Sequence, residues 1–177
     1  MRISSNTVAV VTGAACGIGK AVASDLATRG CQLALVDINE SALEQTAAEL
    51  SQTNRHVTTH ATDVASESQM RELPSRVLRE HGQIHLLVNN AGVSVASPFD
   101  QLDLQDFRWL MGVNFWGTVF GCKFFLPHLA AADCAAIVNI PAILLSWVFQ
   151  QRHAMRPRGL QSAHSASHFG PSFTVHR

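Results

Sequence analysis

Three glycines, Gly13, Gly17 and Gly19, sit in the stretch VVTGAACGIGKAV, directly after an apolar run and at the start of a helical pattern. Glycine lets a backbone turn sharply and approach a bulky anion. A helix that begins there offers its free N–H groups and the positive end of its dipole to a pyrophosphate. The spacing, T-G-x-x-x-G-x-G with Thr12 leading and Ile18 between the last two glycines, differs from the general G-x-G-x-x-G fingerprint. Its strand–turn–helix setting is nevertheless the one a dinucleotide site needs. Asp37 closes the second apolar run, 24 residues beyond Gly13. A carboxylate there accepts hydrogen bonds from the adenosine ribose hydroxyls and repels a 2′-phosphate. Neither Ile38 and Asn39 beside it nor Cys16 in the glycine turn is the arginine a 2′-phosphate would call for. The pattern therefore predicts NAD in preference to NADP, with a helix-capping role as the competing use of Asp37.

Other reactive side chains carry less. His153, His164, His168 and His176 include an i, i+4 pair, His164 and His168, but the stretch after Ile140 holds no carboxylate and no cysteine, so no metal site is expected. Ser162, Ser165, Ser167 and Ser172 lie among these histidines without a spacing that marks a nucleophile. Cys16, Cys31, Cys122 and Cys134 show no C-x-x-C pair and are read as reduced, buried thiols of a cytoplasmic protein.

The elements that must position the glycines and Asp37 are legible as alternation. Apolar runs at Thr7–Thr12, Gln32–Asp37, His56–Ala61, Ile84–Asn90 and Ala135–Ile140 suit strands covered on both faces. Between them, helical patterns span Ile18–Arg29, Glu40–Ser51, Glu67–Glu80 and Leu104–Leu129, with Asn39, Ser66 and Asp103 as caps and Pro74 as an expected kink. Strand–helix alternation implies an α/β fold, a Rossmann-like doubly wound parallel sheet of about five strands followed by an irregular C-terminal tail. The chain has 177 residues, enough for one well-packed domain, and 47% of them are hydrophobic, which argues against disorder. A formal net charge of zero gives no argument for nucleic acid or an anionic membrane. The longest apolar run, the 15 residues Ala135–Phe149, is shorter than a membrane span and contains Asn139 and Pro141. No targeting segment is read at the start, where the first strand begins almost at once.

Five blocks now stand in a definite order: TGAACGIG, LVDIN, ATDV (Ala61–Val64), LLVNNAG (Leu86–Gly92) and VNFWGT (Val113–Thr118). Together they resemble the short-chain dehydrogenase/reductase family across residues 7–140. The resemblance implies strand order 3-2-1-4-5 and hydride transfer between a nicotinamide cofactor and an alcohol or carbonyl substrate. It implies that Asp63 and Val64 line the adenine pocket and that Asn90, Ala91 and Gly92 follow the fourth strand beside the cofactor. Asn114 matches the family's catalytic-site asparagine, which holds a water in the proton relay. The family also uses a serine after the fifth strand and a tyrosine with a lysine four residues later. This chain has no tyrosine, its only lysines are Lys20 and Lys123, and Pro141 stands where the first of two serines is expected. Catalysis is therefore expected to be lost, with weak dinucleotide binding retained. The helix that carries tyrosine and lysine also forms half of the family's usual dimer face, so that interface is expected to be lost too. The alternatives are a working dehydrogenase with a rebuilt proton donor, and a non-enzymatic interaction protein.

Composition breaks at Ile140. All thirteen acidic residues lie at or before Asp133 beside nine Lys and Arg, whereas residues 141–177 hold Arg152, Arg156, Arg158 and Arg177 and no acid. The domain is read as residues 1–140 and the tail as the family's own gene segment in a shifted frame. Written ATT-CCA-GCC, Ile140–Pro141–Ala142 yields TCC-AGC, two serines, when each third base is joined to the next two. Trp147 must be TGG, which turns Val148 into glycine, and Arg158 as AGG supplies a lysine after Pro157 as CCA. Four positions before that lysine, at Ala154, no allowed codon yields tyrosine. The nucleotide sequence after the Ile140 codon tests this reading. Third bases compatible with the shifted peptide throughout are expected; stops or prohibited bases in the shifted frame would refute it.

Overall fold

The computed structural model describes residues 3–52, 56–95 and 101–140. Its elements are β1 (Val8–Thr12), α1 (Gly17–Thr28), β2 (Gln32–Asp37), α2 (Glu40–Ser51), β3 (Val57–Ala61), α3 (Glu67–His81), β4 (Leu86–Asn89), α4 (Leu104–Met111), a π-helical turn (Gly112–Trp116), α5 (Gly117–Ala130) and β5 (Ala136–Asn139). The five strands pair in parallel in the order β3-β2-β1-β4-β5. This is the expected Rossmann-like layer.

Alternation along the strands builds two cores. Ala9, Val11, Leu33, Leu35 and Val88 face one way and pack with Ala23, Leu26, Leu43 and Leu50 of α1 and α2. Val10, Ala34, Val36 and Leu87 face the other way and pack with Met70, Leu73, Val77, Phe125 and Leu129 of α3 and α5. A sheet covered on both faces needs continuous apolar strands, and VAVVT and LALV supply them. Strand order reverses between β1 and β4, which opens a crevice at their carboxyl ends, and the glycine turn starts there.

The three expected caps are in place. Asn39 accepts from the Ala42 N–H, Ser66 from the Gln69 N–H and Asp103 from the Gln105 N–H. Other expectations need correction. The segment read as one helix over Leu104–Leu129 contains five π-helical residues, Gly112–Trp116. α3 runs as one helix with Pro74 inside it, where Met70, Leu73, Pro74 and Val77 are buried together. β3 is an edge strand, and only His60 in it is fully buried, so HVTTHA does not behave as a two-faced apolar run. None of the four cysteines forms a disulfide, but only Cys31 is buried; Cys16 and Cys134 are exposed because they occupy the glycine turn and the approach to β5. Burial pushes the Cys31 thiol up.

The expectations for residues 141–177, including their histidines and serines, lie outside the described residues. Among the described residues, no helix is long and apolar enough to cross a membrane. Trp116, Leu126 and Val138 are about half exposed there, along α5 and the outer strand β5.

Candidate functional site

Beneath the glycine turn, a hydroxyl joins the end of β1 to β4 and the chain after it. Thr12 Oγ1, at the end of β1, accepts from the Asn90 N–H at 3.0 Å and the Ala91 N–H at 3.0 Å, and donates to the Val88 carbonyl at 3.3 Å. A hydroxyl has one proton and two acceptor sites, so Thr12 is saturated. The Asn90 side chain reaches back, its Nδ2 donating to the Thr12 carbonyl at 2.9 Å and the Gly13 carbonyl at 3.3 Å. β1, β4 and the turn are thereby fixed to one another.

Above this joint the glycines have separate duties. A Cβ at Gly19 would collide with the Gly13 carbonyl oxygen and lie 2.5 Å from Asn90 Nδ2, so no side chain fits between α1 and the turn. Gly13 has φ +66 and Gly17 φ +54, the left-handed region that glycine adopts without strain. A Cβ at Gly17 would meet nothing within 4 Å, so this part of the turn faces open space. No side chain caps α1 at Cys16, and its first turn carries no acidic residue. A helix start with free N–H groups and no competing carboxylate accepts an anion. Ile18 and Ile38 flank the turn with relative exposures of 63% and 71%, high for branched apolar side chains.

Asp37 lies where the second strand brings it, against the turn. Its Oδ2 accepts from the Ala15 N–H at 3.0 Å and its Oδ1 from the Asn39 N–H at 3.0 Å. The competing capping role falls to Asn39 and not to Asp37, whose carboxylate instead ties the turn and the residue that caps α2. Each carboxylate oxygen still has a second acceptor site for a ribose hydroxyl.

Asp63 and Val64 stand at the carboxyl end of β3 with divided tasks. Asp63 Oδ1 accepts from the Ala65 N–H at 2.9 Å, and its own N–H donates to Gln69 Oε1 at 2.8 Å. Val64 is buried under α5, where a Cβ at Gly117 would come within 2.9 Å of its Cγ2. Asn114 lies within the π-helical turn, and its amide pairs with the loop after β4. Its Oδ1 accepts from the Val93 N–H at 2.8 Å and its Nδ2 donates to the Val93 carbonyl at 2.8 Å. A π-helical turn shifts the helix register locally and often marks a functional position; here it presents the Asn114 amide to the loop that begins with Asn90, Ala91 and Gly92.

Sequence reasoning missed three contributors. Asn89 is buried, and its Nδ2 donates to Asn139 Oδ1 on β5 at 2.9 Å. Cys122 of α5 lies beside both asparagines. Gly112, Gly117 and Gly121 let the long helix lie close against Ala65, Val64 and Asn89. Those three isolated glycines inside a helical pattern were the available signal, since such glycines mark close packing.

Comparison with known proteins follows the same geometry. The family model for short chain dehydrogenase matches residues 7–146, running past Ile140. D-threitol dehydrogenase of Mycolicibacterium smegmatis is 39% identical over 133 residues, 75% of this chain and 51% of that protein. A short chain dehydrogenase/reductase from Burkholderia phymatum, solved in complex with NAD, superimposes with a TM-score of 0.76 at 31% identity, covering 88% of this chain and 60% of that one. The alcohol dehydrogenase from the archaeon Thermococcus sibiricus, complexed with 5-hydroxy-NADP, gives a TM-score of 0.70 at 34% identity, covering 74% and 57%. The chain spans about half the length of the curated relatives it matches.

Replacing Thr12 by valine leaves the Asn90 and Ala91 N–H groups without their acceptor at nearly constant volume. The expected loss is about 2–6 kcal/mol of unfolding free energy, because each of the two orphaned groups costs about 1–3 kcal/mol. Thr12→Ser, which keeps the hydroxyl, is expected to lose less than about 1 kcal/mol. Urea unfolding of the two variants beside the parent chain measures the difference.

Proposed function

The chain belongs to the short-chain dehydrogenase family, and on that premise we propose that residues 7–140 bind a nicotinamide dinucleotide, NAD ahead of NADP, without turning substrate over. The observation that carries this reading is the glycine turn itself: left-handed Gly13 and Gly17, open space over Gly17, and an uncapped α1. The turn and the first N–H groups of α1 would hold the pyrophosphate. Asp37 would take the adenosine ribose, with Asp63, Val64 and the exposed Ile38 beside the adenine. Asn90, Ala91 and Gly92 would lie along the nicotinamide side. The NAD complex of the Burkholderia phymatum relative supports a dinucleotide in this crevice. The Thermococcus sibiricus relative carries an NADP derivative, so the preference for NAD rests on Asp37 and the absence of an arginine beside it.

A bound nicotinamide supplies hydride transfer to or from an alcohol or carbonyl carbon. The chain's own residues offer no matching proton donor, because it has no tyrosine. Lys20 pairs with Glu49 at 2.7 Å, on α1 and α2. Lys123 of α5 lies 6.0 Å from the Phe124 ring centroid. The Asn114 amide pairs with Val93 through Oδ1 and one N–H of Nδ2. General acid–base catalysis is worth roughly two to four powers of ten, and its loss alone would suppress turnover.

Calorimetric titration with NAD and NADP tests the reading. Binding is expected for both, tighter for NAD. Asp37→Ala is expected to weaken NAD by about ten- to hundredfold, the worth of hydrogen bonds to a charged group, and to leave NADP unchanged or tighter. Equal losses for both cofactors would mean that Asp37 serves only to tie the Ala15 N–H. Steady NADH formation on any secondary alcohol, abolished by Asn114→Ala, would overturn the absence of turnover.

A further inference from the structure

Away from the glycine turn, three imidazoles gather where the end of α3 meets the start of β3. The Thr58 hydroxyl lies between two of them, 3.0 Å from His60 Nε2 and 2.8 Å from His81 Nε2. His81 Nδ1 is 3.3 Å from Gln32 Oε1 on β2. The His56 ring, just before β3, packs against the His81 ring with centroids 4.3 Å apart. His60 and His81 are both buried.

A hydroxyl has one proton to give, so Thr58 donates to one imidazole and accepts from the other. That arrangement needs at least one of the two Nε2 atoms free of a proton. Protonating the accepting ring turns both Nε2 atoms into donors toward one oxygen and leaves the Thr58 proton without its acceptor. The new charge would also sit against the neighbouring imidazoles. Arg76 and Arg79 of α3 oppose a charge on His60, and Glu80 favours it. His81 ends α3, where the helix dipole favours a charged ring, but burial outweighs that pull.

We propose that the Thr58–His60–His81 cluster is an acid-sensitive latch that holds the C-terminal end of α3 to β2 and β3 near neutral pH and releases it in mild acid. The helix it controls also grips the next segment of chain. Arg76 donates to Thr62 Oγ1 at 3.4 Å, and Gln69 accepts from the Asp63 N–H at 2.8 Å. Release therefore loosens the strand leading into Asp63 and Val64. Among the described residues no cluster of His, Cys, Asp or Glu is arranged to hold a metal, so the imidazoles act on one another. The latch does not depend on the dinucleotide reading.

The direction follows from the imidazoles. Burial, and then the neighbouring His56 and His60, pushes His81 from an ordinary 6.5 to about 4, and burial lowers His60 as well. Both are lower in the closed form than in the open one, so closure is fully favoured above about pH 6.5 and is lost as pH falls toward 4. For His81 alone the ratio of open to closed forms rises roughly twentyfold between pH 7 and pH 5.

Amide hydrogen exchange on the full chain at pH 7 and pH 5, corrected for intrinsic rates, reads this directly. Protection of Thr58–Ala61 and of the last turn of α3 is expected to fall tenfold or more at pH 5, while β1 stays protected. In the double variant His60→Gln and His81→Gln, one glutamine can donate to Thr58 Oγ1 through Nε2 and the other accept from it through Oε1, and protection is expected to change less than twofold with pH. Unchanged protection in the parent chain, or equal pH dependence in parent and double variant, would overturn the latch. Should the double variant fail to fold, the imidazole resonances of the parent chain decide. Both rings still neutral at pH 5.5 supports the latch, and ordinary titration near pH 6.5 overturns it.

Discussion

One saturated hydroxyl governs the described part of this molecule. Thr12 Oγ1 takes two N–H groups from the chain after β4 and gives its proton to β4 itself. Parallel strands have no hairpin to set their relative position, so the crevice between β1 and β4 depends on such cross-ties. Asn90 completes the joint from the other side, and the empty Cβ position of Gly19 lets α1 close onto it. Everything proposed about the anion-facing turn requires this joint to be rigid, because Gly13 and Gly17 are the residues least able to hold a conformation by themselves.

What was legible in the sequence was what is local. Continuous apolar runs in VAVVT and QLALVD gave two-faced strands, and Asn39, Ser66 and Asp103 announced their helices because a cap acts within one turn. The glycine spacing located the turn. The ties that hold the turn were not legible: Thr12 and Asn90 are 78 residues apart, and Asn89 meets Asn139 across 50. Nothing in the neighbourhood of either residue announces its partner. The π-helical turn was missed because a five-residue register shift leaves the apolar pattern of the long helix nearly intact. β3 was misread because His60 and Thr58 occupy core-side positions as members of a hydrogen-bonded cluster, which a hydrophobic period does not register.

The site divides at the same place as the sequence. Residues that, on the proposed reading, would receive the adenosine and pyrophosphate are set by β1, β2 and the turn. The residues that would transfer a proton belong, by family, to the stretch after Ile140, where this chain departs from the pattern. The Asn114 amide pairs with Val93 in the loop after β4.

The central claim is that the turn between β1 and α1 is a working dinucleotide cradle. Backbone amide shifts of the full chain, recorded by two-dimensional NMR as NAD is added, test it most directly. The account predicts saturable shifts at residues 12–19, 37–39, 63–64 and 90–92, with the N–H groups of Gly17, Ile18 and Gly19 moving most. Shifts confined to other surfaces, or none at millimolar NAD from a folded chain, would contradict it.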